Sequence, residues 1–331
     1  MPARHLTPTR PPTPPNKMAE AVLAVLSGTP AEVAAAAINA RAETLAEAVE
    51  AFQTAGYQAL EARTADHGWY SVRVQFADWE SAEQAAVADL GPRLDRLCDR
   101  KMISEWWFIR KHPCWRLRLR PLGELVPEVK AAVNTTLNEL AVSGVLSRWW
   151  PAIYEPEDAS FGGPVGTEIA HALFCADSHR ILTYLRTPPP DIGRKEMSIL
   201  LCATLLSAAG LDVFERGNVW NSIAALRPVP IDAPPDRLKN LAEQIRPLVA
   251  ARAGSVALDG QAAAFITPWT AVFRDAGQSL GEAATAGHLD RGIRHILTHL
   301  VIFHWNRLGL PATTQGILSS AARQALLPSG K

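Results

Sequence analysis

From residue 115 to residue 120 large apolar side chains alternate with arginine: Trp115, Arg116, Leu117, Arg118, Leu119, Arg120. A period of two is that of an extended strand, in which successive side chains point to opposite faces. The pattern predicts a strand with Trp115, Leu117 and Leu119 turned to a core and three guanidinium groups on the other face. "WYSVRVQF", Trp69 to Phe76, alternates in the same way. "EWWFIRK" precedes the arginine strand across a His112-Pro113-Cys114 turn, so these two segments predict a hairpin. "SRWWPAIYEPE" is extended again.

Elsewhere the period is helical. Residues 18 to 62 predict two or three short helices, with proline and glycine at their boundaries. "SAEQAAVADLGPRLDRLCDR" and residues 125 to 143 predict two more. Beyond Gly163 helical patterns dominate, at about 165–186, 194–209, 235–252, 268–281, 285–308 and 313–326, with proline-rich connectors such as "RTPPPDIGRK" and "RPVPIDAPPDR". Strands early and helices late predict an α+β fold: a mixed or antiparallel sheet covered by helices, with a mostly helical C-terminal half. The expected divisions are a disordered proline-rich tail at 1–17, a small helical segment at 18–62 and a main domain at 63–331.

Charge changes the picture little. Lysine plus arginine and aspartate plus glutamate number 33 each in the 331 residues, so no global field draws nucleic acid or an anionic membrane. A cation site has to be local. The four cysteines, Cys98, Cys114, Cys175 and Cys202, show no CxxC spacing, which argues against a zinc knuckle or disulfide framework and fits a reducing cytoplasm. No apolar run reaches the length of a membrane span, and the N-terminus lacks the apolar core of a secretory signal. With no phosphate-cradling glycine motif and no cluster at metal-ligand spacing, neither a cofactor nor a metal is expected. Ten tryptophans and apolar C-terminal helices leave room for a homodimer interface.

Four stretches carry candidate chemistry. The first is the arginine strand with Arg110 on the strand before it; arginine grips carboxylates bidentately, while the bland alternative is a solvated sheet face. The second is "YEPEDASFGG", Tyr154 to Gly163, whose acids could pair with the arginines or act as a base, or simply cap a helix; its glycines could let backbone approach a ligand. The third is "HILTHLVIFHWNRLGL", where His304 with Asn306 and Arg307 draws attention because imidazole titrates where acid–base chemistry needs it. The fourth, "AHALFCADSHRIL", holds His171, Asp177, Ser178 and His179 on one presumed helix; without a nucleophile elbow these read as packing and helix-surface positions.

Together "WWFIRKHPCWRLRLRP", "YEPEDASFGGPVGTEIAHALFCADSHRIL" and "HWNRLGL" resemble the C-terminal elimination domain of class I lantibiotic dehydratases. They resemble more closely its stand-alone form, the thiopeptide-type bacteriocin biosynthesis proteins, over about Trp69 to Leu326. The resemblance implies loss of glutamate from a glutamylated serine or threonine of a precursor peptide, leaving dehydroalanine or dehydrobutyrine. It implies that Arg118 and Arg120 grip the leaving carboxylate and stabilise charge, that Glu157 organises the site, and that His304, or less well His299, moves protons. Arg110, Arg116, Tyr154, Ser160, Asn306 and Arg307 complete the expected substrate-binding set.

One position departs from the pattern. Full-length relatives carry arginine three residues after the glutamate, where this chain has Ser160, and Arg116 or Arg110 would have to compensate. Two other roles stay open. One is the pyridine synthase reaction, a formal [4+2] cycloaddition of two dehydroalanines with leader release; the other is a non-catalytic partner that binds precursor peptide in a dehydratase complex. The implied partners are a precursor peptide and a glutamylating dehydratase that uses the glutamyl-tRNA, in the cytoplasm.

Overall fold

A computed structural model describes residues 14–66, 68–123, 125–187, 192–231, 233–250 and 260–327. Its contacts divide the chain into two compact units, Met1–His67 and Gly68–Lys331.

The first unit holds α1 (Pro15–Leu26), α2 (Ala31–Ala37) and α3 (Ala42–Asp66). Most of the tail expected to be disordered lies outside the described residues, but its end does not: α1 begins at Pro15. Proline suits a first helical turn, where no amide partner is needed and its φ is already helical. Ala21, Val22, Ala34, Ala35 and Leu45 form a small core, its alanines allowing close helix contact.

In the second unit, β1 (Tyr70–Phe76) leads into α4 (Ala82–Ala85), which passes through a π-turn at Ala86–Leu90 into α5 (Gly91–Asp99). The predicted hairpin forms from β2 (Ile103–Lys111) and β3 (Cys114–Pro121), followed by α6 (Val126–Val142) and β4 (Leu146–Ala152). The strands lie in the order β2-β3-β1-β4, every neighbouring pair antiparallel. Val72 pairs with Leu117 and Leu117 with Phe108, so one face is apolar. Helix α6 covers it, taking hydrogen bonds from the Tyr70 hydroxyl to Asn134 and from the Trp149 indole to Asn138. Trp107, Arg118 and Ser71 are register partners on the other face, with Ile109, Arg116 and Arg73 beside them.

The rest is helical: α7 (Asp158–Phe161), α8 (Gly163–Arg186), α9 (Arg194–Ala208), α10 (Val213–Leu226), α11 (Pro235–Ala250), α12 (Gly260–Thr285), α13 (Ile293–Leu308) and α14 (Ala312–Leu326). The architecture is α+β, as the patterns predict. Three details differ from expectation. The helical ranges above leave out residues 213–226, where α10 forms; a reciprocal capping box between Asp212 and Glu215 starts it. Helix α12 is longer than predicted and carries Pro268 within it. Helix α13 starts at Ile293 rather than near 285, because Gly287, at φ +72°, ends the preceding helix and Gly292 caps the next. No helix among the described residues is long and apolar enough to cross a membrane.

Helix α9 is buried along almost its whole length, from Met197 to Leu206. Two glycines on α12 admit it. A Cβ on Gly277 would stand 2.5 Å from the Leu205 carbonyl oxygen, and one on Gly281 3.0 Å from that of Ala209. Gly277→Ala is therefore expected to destabilise the protein by about 1–3 kcal/mol through forced separation of the helices. Urea denaturation measures this, and an unchanged midpoint would show that the helices separate at no cost.

Candidate active site

The three arginines of β3 do not share one environment. Arg120 pairs with Glu168 at 2.9 Å and Glu105 at 3.4 Å, and those hydrogen bonds raise its pKa. Arg118 is 8% exposed, with its guanidinium 4.3 Å from the Trp107 ring and 5.3 Å from the Tyr154 ring. Its Nη1 donates to the Arg116 carbonyl at 3.0 Å. Among the described residues no carboxylate comes within ion-pair distance of Arg118 or Arg116. Burial takes the Arg118 guanidinium down to about 10, with Tyr154 and Glu157 favouring the charge, so it stays cationic at neutral pH.

Arg116 and Arg118 open on a cavity of about 470 Å³. Trp107 and Ile109 of β2 form one wall, and Tyr154, Glu155 and Glu157 of the loop before α7 form a second. Helix α13 supplies a third wall with His299, Ile302, Phe303 and Asn306, and Arg227 enters from the end of α10. Spacings of three, four and seven residues put those four α13 side chains on one helical stripe. His299 Nδ1 lies 2.9 Å from the His295 carbonyl oxygen, to which it can only donate. That assigns the proton to Nδ1 and leaves Nε2 as the basic nitrogen of the neutral ring.

The loop before α8 is held by its glycines. Gly162 and Gly163 have φ of +82° and +85°. A Cβ on Gly162 would meet Ile296, and one on Gly163 would meet the Asp290 carboxylate. The close approach these glycines permit is thus to α13 and the segment before it, rather than to a ligand. Glu157 accepts from the Ser160 amide at 2.7 Å through its carbonyl, while its side chain borders the cavity; Ser160 does not line it.

Arg120, Ser160, His304 and Arg307, all expected at the site, do not line the cavity. His304 and Arg307 are fully buried in the helical core, on the stripe of α13 next to the cavity-facing one. Both bind the Asp177 carboxylate at 2.9 Å, and the Trp269 indole donates to it at 2.9 Å as well. Burial works to raise the pKa of Asp177, but His304 and Arg307 overcome it and the carboxyl is held below its ordinary value. These side chains are core, because one residue along a helix rotates the side chain by about 100°. The cavity-facing histidine is His299.

Arg110 is among the residues that line this cavity, but its charge is directed elsewhere. Its register partner is Trp115, which assigns it to the face opposite Arg116 and Arg118. The guanidinium stacks 4.5 Å over Trp115 and pairs with Glu83, which binds Arg194 at 2.8 Å too. A second cavity of about 570 Å³ lies there, between Trp79, Glu83, Arg110 and Leu310. It is the larger of the two, but its arginine is already neutralised, so the cavity at Arg118 is the candidate for chemistry on an anionic group.

His171 completes the Arg118 region. It is 5% exposed, packed against Trp69, Trp107 and Phe174, and its Nε2 lies 2.5 Å from the Tyr154 hydroxyl. Burial is the main cause that pushes its pKa down to about 4. The sequence pattern marks this histidine as a packing position; its bond to a cavity residue 17 positions earlier has no signature in that pattern. Arg227 opens the proline-rich segment "RPVPIDAPPDR", whose composition marks a connector and gives no sign of a cavity. The spacing on α13 does not separate the cavity-facing His299 from the core His304, since both have apolar neighbours at helical spacing.

The profile of the family described as lantibiotic biosynthesis dehydratase C-term matches residues 69–326. The chain belongs to that family. Solved structures share the fold of this dehydratase C-terminal domain. The tRNA-dependent lantibiotic dehydratase MibB from Microbispora sp. 107891 is 20% identical over 79% of the chain, with a TM-score of 0.58; the match spans 28% of MibB. TsrL is 15% identical over 79% of the chain and 99% of its own length, with a TM-score of 0.52. TbtD, the pyridine synthase from thiomuracin biosynthesis, is 13% identical over 78% of the chain and 97% of its own, with a TM-score of 0.53. No curated protein sequence matches the chain.

Two outcomes follow from the buried groups. Between pH about 6.5 and about 4 the unfolded chain binds a proton at His171 that the folded protein excludes, so folded stability falls as the pH drops through that window. The loss attributable to this histidine is about 3 kcal/mol, from roughly 1.4 kcal/mol per pH unit between the two pKa values. His171→Gln is expected to flatten the acid limb of stability by that amount in denaturant titrations at successive pH values. Asp177→Asn leaves the buried Arg307 charge without its partner, and the expected cost is about 3–5 kcal/mol. If instead Asp177→Asn melted with the wild type, the buried ion pair would contribute nothing.

Proposed function

We propose that this family member eliminates glutamate from glutamylated serine or threonine residues of a precursor peptide. The observation that carries the reading is Arg118: a buried cation at a cavity, backed by two aromatic rings and lacking a carboxylate of its own among the described residues. A guanidinium held this way gains from an incoming carboxylate, because the attraction is little screened there.

The chemistry has three requirements. A base removes the Cα proton, and His299 Nε2 is the base at hand. The electron pair forms the Cα=Cβ bond while the Cβ–O bond breaks, and glutamate departs as its carboxylate. Arg118 stabilises charge that grows on the reacting carbonyl, and Arg116 and Arg118 together take the leaving anion. Arg120, tied to Glu168 and Glu105, holds the β2–β3 face and Trp69 in place rather than gripping substrate. The partners that follow are the precursor peptide and a glutamylating enzyme.

A second reading, the pyridine synthase reaction, is favoured by Ser160, which withholds a cation from the loop at the cavity rim. The two differ in substrate. The protein with a glutamylated precursor peptide is expected to release glutamate, and mass spectrometry to show a dehydrated peptide; Arg118→Ala is expected to lower the rate by at least about 10²-fold. Arg118→Lys, which keeps charge without the planar fork, should recover only part of it. Intact glutamyl ester after incubation with wild type would falsify the elimination reading. Cyclisation of a dehydrated peptide would then assign the second reaction, and binding without turnover a carrier role.

A further inference from the structure

Proton removal from Cα puts negative charge on the carbonyl oxygen of the reacting residue, and one guanidinium is a single donor. Oxyanion sites gain most from two preorganised donors converging on one oxygen. Tyr154 stands beside Arg118: its ring is 5.3 Å from the guanidinium carbon, and it lines the same cavity. Its hydroxyl is fixed from behind by His171 Nε2 at 2.5 Å. The imidazole packs against Trp69, with ring centroids 5.0 Å apart, and against Trp107, at 6.0 Å, and those two indoles meet each other at 6.4 Å. This shell leaves the phenol little freedom to turn.

The geometry points to Tyr154 as a second oxyanion donor of the proposed elimination, oriented by a neutral His171 that donates Nε2–H to the phenol oxygen. Tyr154 is the catalytic residue here because it touches the enolate oxygen, and His171 is the positioning residue. The inference rests on the elimination reading and adds a group to it. No net proton passes along the pair. The Cα proton leaves on His299, the electron pair moves through the enolate into Cα=Cβ, the Cβ–O bond breaks, and Tyr154 keeps its proton throughout. The low basicity of His171 fits this role. A ring that stays neutral across the working pH range still donates through Nε2–H, and it adds no fixed charge beside Arg118.

The test uses the full chain and a glutamylated precursor peptide, with rates read from released glutamate and affinity from the anisotropy of a labelled peptide. Tyr154→Phe is expected to lower kcat by roughly 10²- to 10³-fold, with peptide affinity within about twofold. His171→Gln, whose amide can also donate, is expected to keep most of the rate; His171→Leu should fall towards Tyr154→Phe. Installing 3-fluorotyrosine at position 154, assayed at a pH that keeps its phenol protonated, separates donor from base, since fluorination strengthens the first and weakens the second. A rate that holds or rises supports the donor, and a rate that drops overturns it. Wild-type elimination with Tyr154→Phe within threefold also overturns the inference and leaves the proposed function standing. Wild type that eliminates nothing removes the proposed function, and this inference with it.

Discussion

Asp177 and its neighbour Ser178 fix the geometry on which the site depends. The Asp177 carboxylate accepts from Trp269 of α12 and binds His304 and Arg307 of α13, so one anion on α8 joins three helices. Its charge matters because Arg307 is fully buried, and an uncompensated guanidinium there would be costly. One residue on, the Ser178 hydroxyl accepts from the Phe108 amide at 3.2 Å. Phe108 belongs to β2, an edge strand whose outward amides need partners, and Ser178 docks α8 onto that edge. Holding His304 and Arg307 against Asp177 sets the rotation of α13. The neighbouring stripe, with His299 and Asn306, is thereby turned to the cavity.

The arginine strand shows how one alternating pattern is divided between structure and chemistry. Three guanidiniums two residues apart repel one another, and the fold resolves this unevenly. Arg120 receives two glutamates. Arg118 receives aromatic faces, whose quadrupoles stabilise a cation without neutralising it. Arg110, one strand away, goes to the other face and takes Glu83. What is left at the cavity is Arg118, a cation held by ring faces with no carboxylate in ion-pair range among the described residues, which is the condition for attracting an anion.

The strands were legible because a half-buried sheet imposes a period of two that no helix mimics, and Trp115, Leu117 and Leu119 are buried as their spacing requires. Arg118 is buried as well, which alternation alone does not reveal; its burial comes from Trp107 and Tyr154, brought in from another strand and a loop. The histidines were harder. His299 and His304 sit on one helix with apolar residues all round, so periodicity cannot say which face meets the cavity. That choice is made by Asp177, more than a hundred positions away in sequence. Helix α10 was hidden by glycine and asparagine in "VFERGNVWNSIAAL", which lower helical propensity; burial of Val219, Trp220 and Ile223 overrides it.

Ser160 ties these threads together. The resemblance leads one to expect a cation at that position, and its absence would leave a deficit at the cavity if the loop were its sole source of charge. The fold supplies a guanidinium from another direction. Arg227 follows α10 and lines the cavity, its Nε bound to Gln315 at 3.1 Å and its Nη1 to the Leu226 carbonyl at 3.0 Å. Gln315 in turn donates to Asn306 at 2.9 Å, which also faces the cavity. Arg227 is thus braced by neutral groups and keeps its charge available to a ligand. On the proposed reading, Arg116, Arg118 and Arg227 surround the leaving glutamate from two elements of the fold, and a serine at position 160 is compatible with elimination.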